Sequence, residues 1–192
     1  MRFRNALGPI VIVIACGAYT PMAQASSGRE DLHAVRHATA RFRTVTVAED
    51  AGYGRLVDAA GVACIDMPGM GAMGVHYVNG GLVGDAVLDP VKPEALVYET
   101  DEDGRQRLVA VEYITFQSTW DAEHAEPPKL FGRAFDVTPA PNRFGLPAFY
   151  SLHAWVWKRN PAGTFAMFNP HVTCHPGEPD DDHDDHSDHG ES

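Results

Sequence analysis

Three ionisable residues in this chain fall inside short runs that otherwise read as apolar strands. His76 sits in Gly74-Val75-His76-Tyr77-Val78, His153 in Leu152-His153-Ala154-Trp155, and Glu112 in Val109-Ala110-Val111-Glu112-Tyr113. A polar group buried in such a run needs a partner, and three buried separately would need three. Gathered in one place, two imidazoles and a carboxylate make the minimum donor set for a mononuclear metal site with open positions. Glu99 joins the candidates through register. If Asp101 to Gly104 form a hairpin turn, Val97 faces Leu108. Alternation then places Glu99 and Glu112 on one face with Val97, Leu108 and Ala110. Ser151 shares a strand face with His153, but no motif supports a Ser–His nucleophile. The sequence holds no G-x-S-x-G, H-E-x-x-H or Walker-type loop.

Further donors are grouped by spacing. Met67, Met70 and Met73 recur every third residue in a glycine-rich stretch that ends at His76. Thioethers are soft donors that select Cu(I), and the stretch resembles the methionine motifs of exported copper-handling proteins. That resemblance favours copper over zinc and adds Met73 to the ligands. The C-terminal tract carries His183, His186 and His189 among aspartates, a composition that binds transition metals weakly. His33 and His37 are spaced i, i+4 and share a helix face.

These residues must be positioned by a small set of elements. Glu30 to Ala51 reads as one helix, with Val35, Ala38, Phe42, Val45 and Ala48 on a common face. The β-branched run Thr44 to Val47 weakens it. Strands are expected at Val62–Asp66, Gly74–Val78, Ala95–Thr100, Arg107–Thr115, Tyr150–Lys158 and Thr164–Phe168. The proline-rich stretch Ser118 to Pro147 lacks clear periodicity and reads as a lid or binding loop. The expected fold is mainly β (α+β): an N-terminal helix packed on a curved antiparallel sheet or small barrel, followed by a disordered acidic tail. The expected boundaries are 1–25 for a signal peptide, 26–177 for a single globular domain and 178–192 for the tail.

The signal peptide is read from Arg2 and Arg4, a short apolar run and Ala23-Gln24-Ala25. Cys16 offers a lipid anchor as the alternative, since Val13-Ile14-Ala15-Cys16 resembles a lipoprotein box. Both readings place the protein outside the cytoplasm, periplasmic or secreted. Cys64 and Cys174 then remain as an even pair and are expected to form a disulfide. The formal net charge is −11, concentrated in the tail. No basic stripe points to nucleic acid, and no segment of the mature chain is long and apolar enough to span a membrane. The expected partner is therefore a metal ion, copper or zinc. The leading expectation is an exported copper-binding, barrel-like protein. The alternatives are a metal-dependent enzyme acting on a small apolar or aromatic substrate beside Tyr113, Trp155 and Trp157, and a metal-free ligand-binding or adhesion module.

Overall fold

The computed structural model describes residues 23–174. The helical segment is broken. Helix α1 spans Ala23–Thr39, a 3-10 turn follows at Ala40–Arg43, and α2 is short, Val45–Asp50. Thr39 donates its hydroxyl back to the Val35 carbonyl (2.8 Å), the i−4 bond that bends helices. Thr44 is extended at φ −104° and ψ 118°, where the β-branched run begins. The expected face survives the break, with Val35, Phe42 and Ala48 all buried.

The strands are β1 Gly54–Arg55, β2 Cys64–Met67, β3 Gly71–Val78, β4 Ala95–Thr100, β5 Gln106–Phe116, β6 Lys129–Leu130, β7 Arg133–Ala134, β8 Asp136–Thr138 and β9 Phe149–Ala154. Short helices α3 (Gly80–Gly84) and α4 (Gln117–Asp121) complete the set. Seven strands form one antiparallel sheet in the order β1-β3-β4-β5-β9-β8, with β2 also paired to β3. The sheet is open, and this corrects the expected barrel or curled sheet. Closure requires the two edges to pair with each other. Here β1 and β2 lie at one edge and β8 at the other, unpaired to one another. The β8 edge is three residues long and followed by Pro139 and Pro141, which donate no N–H and end the ladder. The architecture is thus a mixed α/β fold built on an open sheet with short helices. The stretch Ser118–Pro147 holds the end of α4, the β6–β7 hairpin and β8, elements too short for periodicity to reveal. Residues 164–168 form no strand; Trp155 instead takes a single backbone bond from its N–H to the Thr164 carbonyl (2.9 Å).

One face of the sheet packs under the helices. Val75, Tyr77, Leu96, Tyr98, Val111, Tyr113 and Leu152 meet Val35, Phe42, Ala48 and Tyr53 there. Its buried tyrosines keep their hydroxyls bonded: Tyr98 donates to Phe42 O, Tyr53 to Pro93 O and Tyr113 to Pro90 O. The opposite face carries a smaller cluster of Ala72, Val97, Val109, Ala110, Trp155 and Val172, with Cys174 against it. The segment ending at Cys174 packs on that cluster through Val172 and Cys174, while Val156, Trp157 and Phe165 before it pack on the helix side. It is held by Ala72 N–H to the Asn169 and Val172 carbonyls, by Asn169 N–H to Ala72 O, and by the Cys64–Cys174 disulfide. Gly71 lets it approach: a Cβ there would collide with the Asn169 carbonyl.

One buried group gives a prediction of its own. Glu94 is 1 % exposed. Its Oε2 accepts from Ile114 N–H (3.1 Å), while Oε1 has no partner. Burial pushes its carboxyl up to about 8, opposed by backbone hydrogen bonds including that of Ile114. The folded state therefore holds this proton more tightly than the unfolded chain. The stability it contributes is full below the unfolded value of 4.5 and is lost as pH rises through about 8. Glu94→Gln should melt above the parent protein at pH 9 and close to it at pH 5. The expected gain is several kcal/mol, at about 1.4 kcal/mol per pKa unit. Superimposable melts at pH 9 would contradict the assignment.

Candidate metal centre

Period-two alternation puts Ala95, Val97, Ala110, Glu112, Ile114, Ser151 and His153 on the face away from the helices. Glu112 on β5 stands directly opposite His153 on β9 and opposite Ala95 on β4. His76 on β3 is in register with Val97 of β4. Backbones of β3 and β9 are three strand spacings apart, about 14 Å at ~4.8 Å each, so the two imidazoles must lean across β4 and β5 to meet. Ala95 and Ala110, both fully buried, leave the room for them.

The three side chains converge. Nε2 of His76 lies 3.2 Å from Nε2 of His153 and 3.3 Å from Oε2 of Glu112. Nδ1 of His153 lies 3.4 Å from Oε1 of Glu112. One donor atom from each residue falls within 4.8 Å of the other two. Donors bonded to one tetrahedral ion at about 2.0–2.1 Å are about 3.3 Å apart. The His76–His153 and His76–Glu112 separations thus match two edges of such a site. All three residues are nearly inaccessible, at 4 % for each histidine and 6 % for Glu112. The cluster is able to coordinate a metal ion.

Its electrostatics suit a cation. Burial pushes His76 down to about 4; the attraction of Glu112 opposes this, and the neighbouring His153 adds to the lowering. Burial likewise takes His153 to about 4, weakly opposed by Asp136. Both imidazoles are therefore neutral near pH 7, the form that ligates a metal. Burial drives Glu112 upward, against the pull of His76 and of the Ser151 hydroxyl. Nδ1 of His76 has no hydrogen-bond partner; the Gly74 backbone nearby favours its protonated form slightly without reaching bonding geometry.

The cluster opens into a cavity of about 380 Å³. Its walls are apolar, including Ile65, Val83, Ile114, Phe116, Phe149 and Met167. Phe144 and Leu146 of the proline-rich stretch close one side. Next to Phe144, Arg143 donates to Asp58 Oδ2 from Nη2 (2.7 Å) and Nε (3.1 Å), and its carbonyl accepts from Ala59 N–H (2.9 Å). Asp58 is itself fixed by Val62 and Ala60 N–H groups on Oδ1. A charged clasp therefore joins the two loops that flank the cavity.

The other expected ligands are not all here. Glu99 is ion-paired with Lys158. It lies four residues along β4 from the position opposite Glu112, about 13 Å at ~3.3 Å per residue. The expected register misses a bulge: Val97 pairs with Ala110 and Tyr98 with Leu108, so Val109 is an extra residue. Leu108 accordingly turns to the helix side, while Val109 and Ala110 pack with Val97. Met73 does line the cavity. It is the extra residue of a second bulge, since Gly74 pairs with Ile65 and Ala72 with Asp66. Met67 and Met70 are exposed around a turn instead, so the three spaced methionines do not converge. The clustered donors are imidazole nitrogens and a carboxylate oxygen, which specify neither copper nor zinc.

Tyr113, Trp155 and Trp157 do not line the cavity. Tyr113 is buried under the helices, Trp155 stacks beside His153 with centroids 6.4 Å apart, and Trp157 donates to Thr39 on the helix side. The phenylalanines that replace them lie at β-strand ends and in the proline-rich stretch. His33 and His37 are exposed on α1, and among the described residues they join no metal-binding group.

The Cys64–Cys174 disulfide is formed, with Cα atoms 5.4 Å apart. Residues 1–22, with Cys16, and the tail histidines His183, His186 and His189 lie outside the described residues. The expected exported copper protein is thus corrected on two counts: its barrel does not form, and the clustered donors do not specify copper. Among them no helix is long and apolar enough to cross a membrane. Comparison with family models, curated proteins and solved structures finds no significant match, so function must be argued from this geometry.

Proposed function

We propose that the protein is a metal-dependent enzyme acting on a small apolar substrate. His76, His153 and Glu112 hold one divalent first-row ion, and the adjoining cavity takes the substrate. The observation that carries this reading is the combination of three protein donors with an apolar cavity on their open side. A site built only to store or carry an ion surrounds it with four protein ligands, whereas a catalytic site keeps a position free. Two histidines and one carboxylate are the donor set of hydrolytic zinc sites and of iron(II) oxygenases. The ion's contribution is Lewis acidity or activation of a bound water or dioxygen. The chain's own part is to hold the donors without water around them and to orient the Glu112 carboxylate through Ser151.

Turnover tests the proposal. Zinc-loaded protein is assayed against small aryl and alkyl esters, and iron(II)-loaded protein for oxygen uptake with small aromatic compounds. Turnover in one arm that chelation abolishes and metal restores is the expected result. A metal-loaded protein whose ion responds to no added small anion would have a closed site, and the enzymatic reading would fall.

A further inference from the structure

The cavity wall carries one kind of chemistry and its floor another. Apart from His76, Glu112 and His153, the only ionisable residue along the cavity among the described residues is Arg55. Arg55 is in register with Tyr77, whose ring packs on the helix side. Directly opposed residues share a face. Its side chain therefore belongs to that side, where it borders a separate depression with Arg43 and Tyr77. Ser151 and Thr138 add hydroxyls, and the rest of the side-chain lining is aliphatic, thioether or phenyl.

A divalent ion held by two neutral imidazoles and one carboxylate leaves a net charge of +1 at the floor. Among the described residues no anionic side chain other than Glu112 lines the cavity to balance it; Asp136, opposite Ser151, acts on His153 from an exposed position outside the lining. An unbalanced charge in an apolar enclosure is expensive. A ligand with one negative charge at the metal end and an apolar body brings the site to neutrality and fills the walls. We infer that the cavity selects apolar monoanions, of the aryl- or alkyl-carboxylate class, with the anionic head on the ion and the hydrocarbon against Phe116, Phe149 and Leu146. This inference rests on the metal-centre reading above and names its ligand class.

The test uses the full chain loaded with one equivalent of zinc and titrated calorimetrically with three matched compounds: 4-phenylbutyrate, its primary amide, and 4-phenylbutylamine. The acid should bind at least tenfold more tightly than the amide, and the amine should not bind. The preference should vanish in metal-free protein. Leu146→Glu adds a negative charge to the wall at a position that is already 36 % exposed, where a fold defect is not expected. It should remove the acid's advantage and leave zinc content unchanged. Equal binding of acid and amide to zinc-loaded protein would overturn the inference while leaving the metal centre standing. If His153→Ala retains as much tightly bound zinc as the parent chain, the cluster is not the zinc site, and both readings fall together.

Discussion

Replacing His153 by alanine should abolish tight metal binding. The substitution removes one of three donors and leaves His76 and Glu112 facing a hole. Loss of a mere outer-shell partner in a metal site costs about 10–100-fold in affinity, so loss of a ligand should exceed that range. Glu112→Gln should do the same by another route, because a neutral amide keeps the shape but not the charge. Ser151→Ala is the graded control: the hydroxyl acts on the Glu112 carboxylate, and its removal should fall within the outer-shell range. Competition titration against a chromophoric chelator reads all three. Circular dichroism on the same samples separates lost binding from lost fold. Parent-like affinity in His153→Ala would mean that the close approach of His76 and His153 is only a polar contact in the core.

Opening the disulfide should lower stability substantially. It links residues 110 apart in sequence, a closure worth about 4–5 kcal/mol in the chain-entropy model. Cys64→Ser with Cys174→Ser, or reduction of the parent, should lower stability by up to that amount in urea. The fold explains what loosens first. Cys174 ends the segment that covers Ala72, Val97, Val109 and Ala110, and the same segment brings Met167 to the cavity. Freed from Cys64, it is held by the backbone bonds of Ala72 and Asn169 and by packing. Dye binding to exposed apolar surface should therefore rise before the sheet unfolds. Equal stability of oxidised and reduced protein would show that these contacts hold the segment without the covalent link.

Alternation made the candidate metal cluster legible in the sequence. His76, Glu112 and His153 each interrupt an apolar strand, and a period of two fixes the face of a side chain as long as the strand is regular. The same rule fails where a residue is inserted. The bulge at Val109 breaks the count between the turn and Ala110, and with it the expected Val97–Leu108 pairing. Glu99 lies too far along its strand to reach the others. The bulge at Met73 works in the other direction, turning a thioether into the cavity that regular pleating would have sent to the helix side. Closure of the sheet was not legible at all. Strands that alternate look alike in a barrel and in an open sheet, and the difference lies in edges as short as β1 and β8. The cavity wall was hidden for a similar reason. Phe144 and Leu146 reach it from an irregular stretch positioned by one tertiary clasp, Arg143 on Asp58, which local pattern cannot show.

Binding of one ion by His76, His153 and Glu112 is what the proposed function depends on. The most direct measurement is the metal content and coordination of protein ending at Gly177, which lacks the histidines of the C-terminal tract. After loading with zinc and exhaustive dialysis, this protein should retain one equivalent. X-ray absorption at the zinc edge should show nitrogen and oxygen donors at about 2.0–2.2 Å and no sulfur. The retained zinc should disappear in His153→Ala. Retention of no metal, or of metal indifferent to His153, would contradict the account.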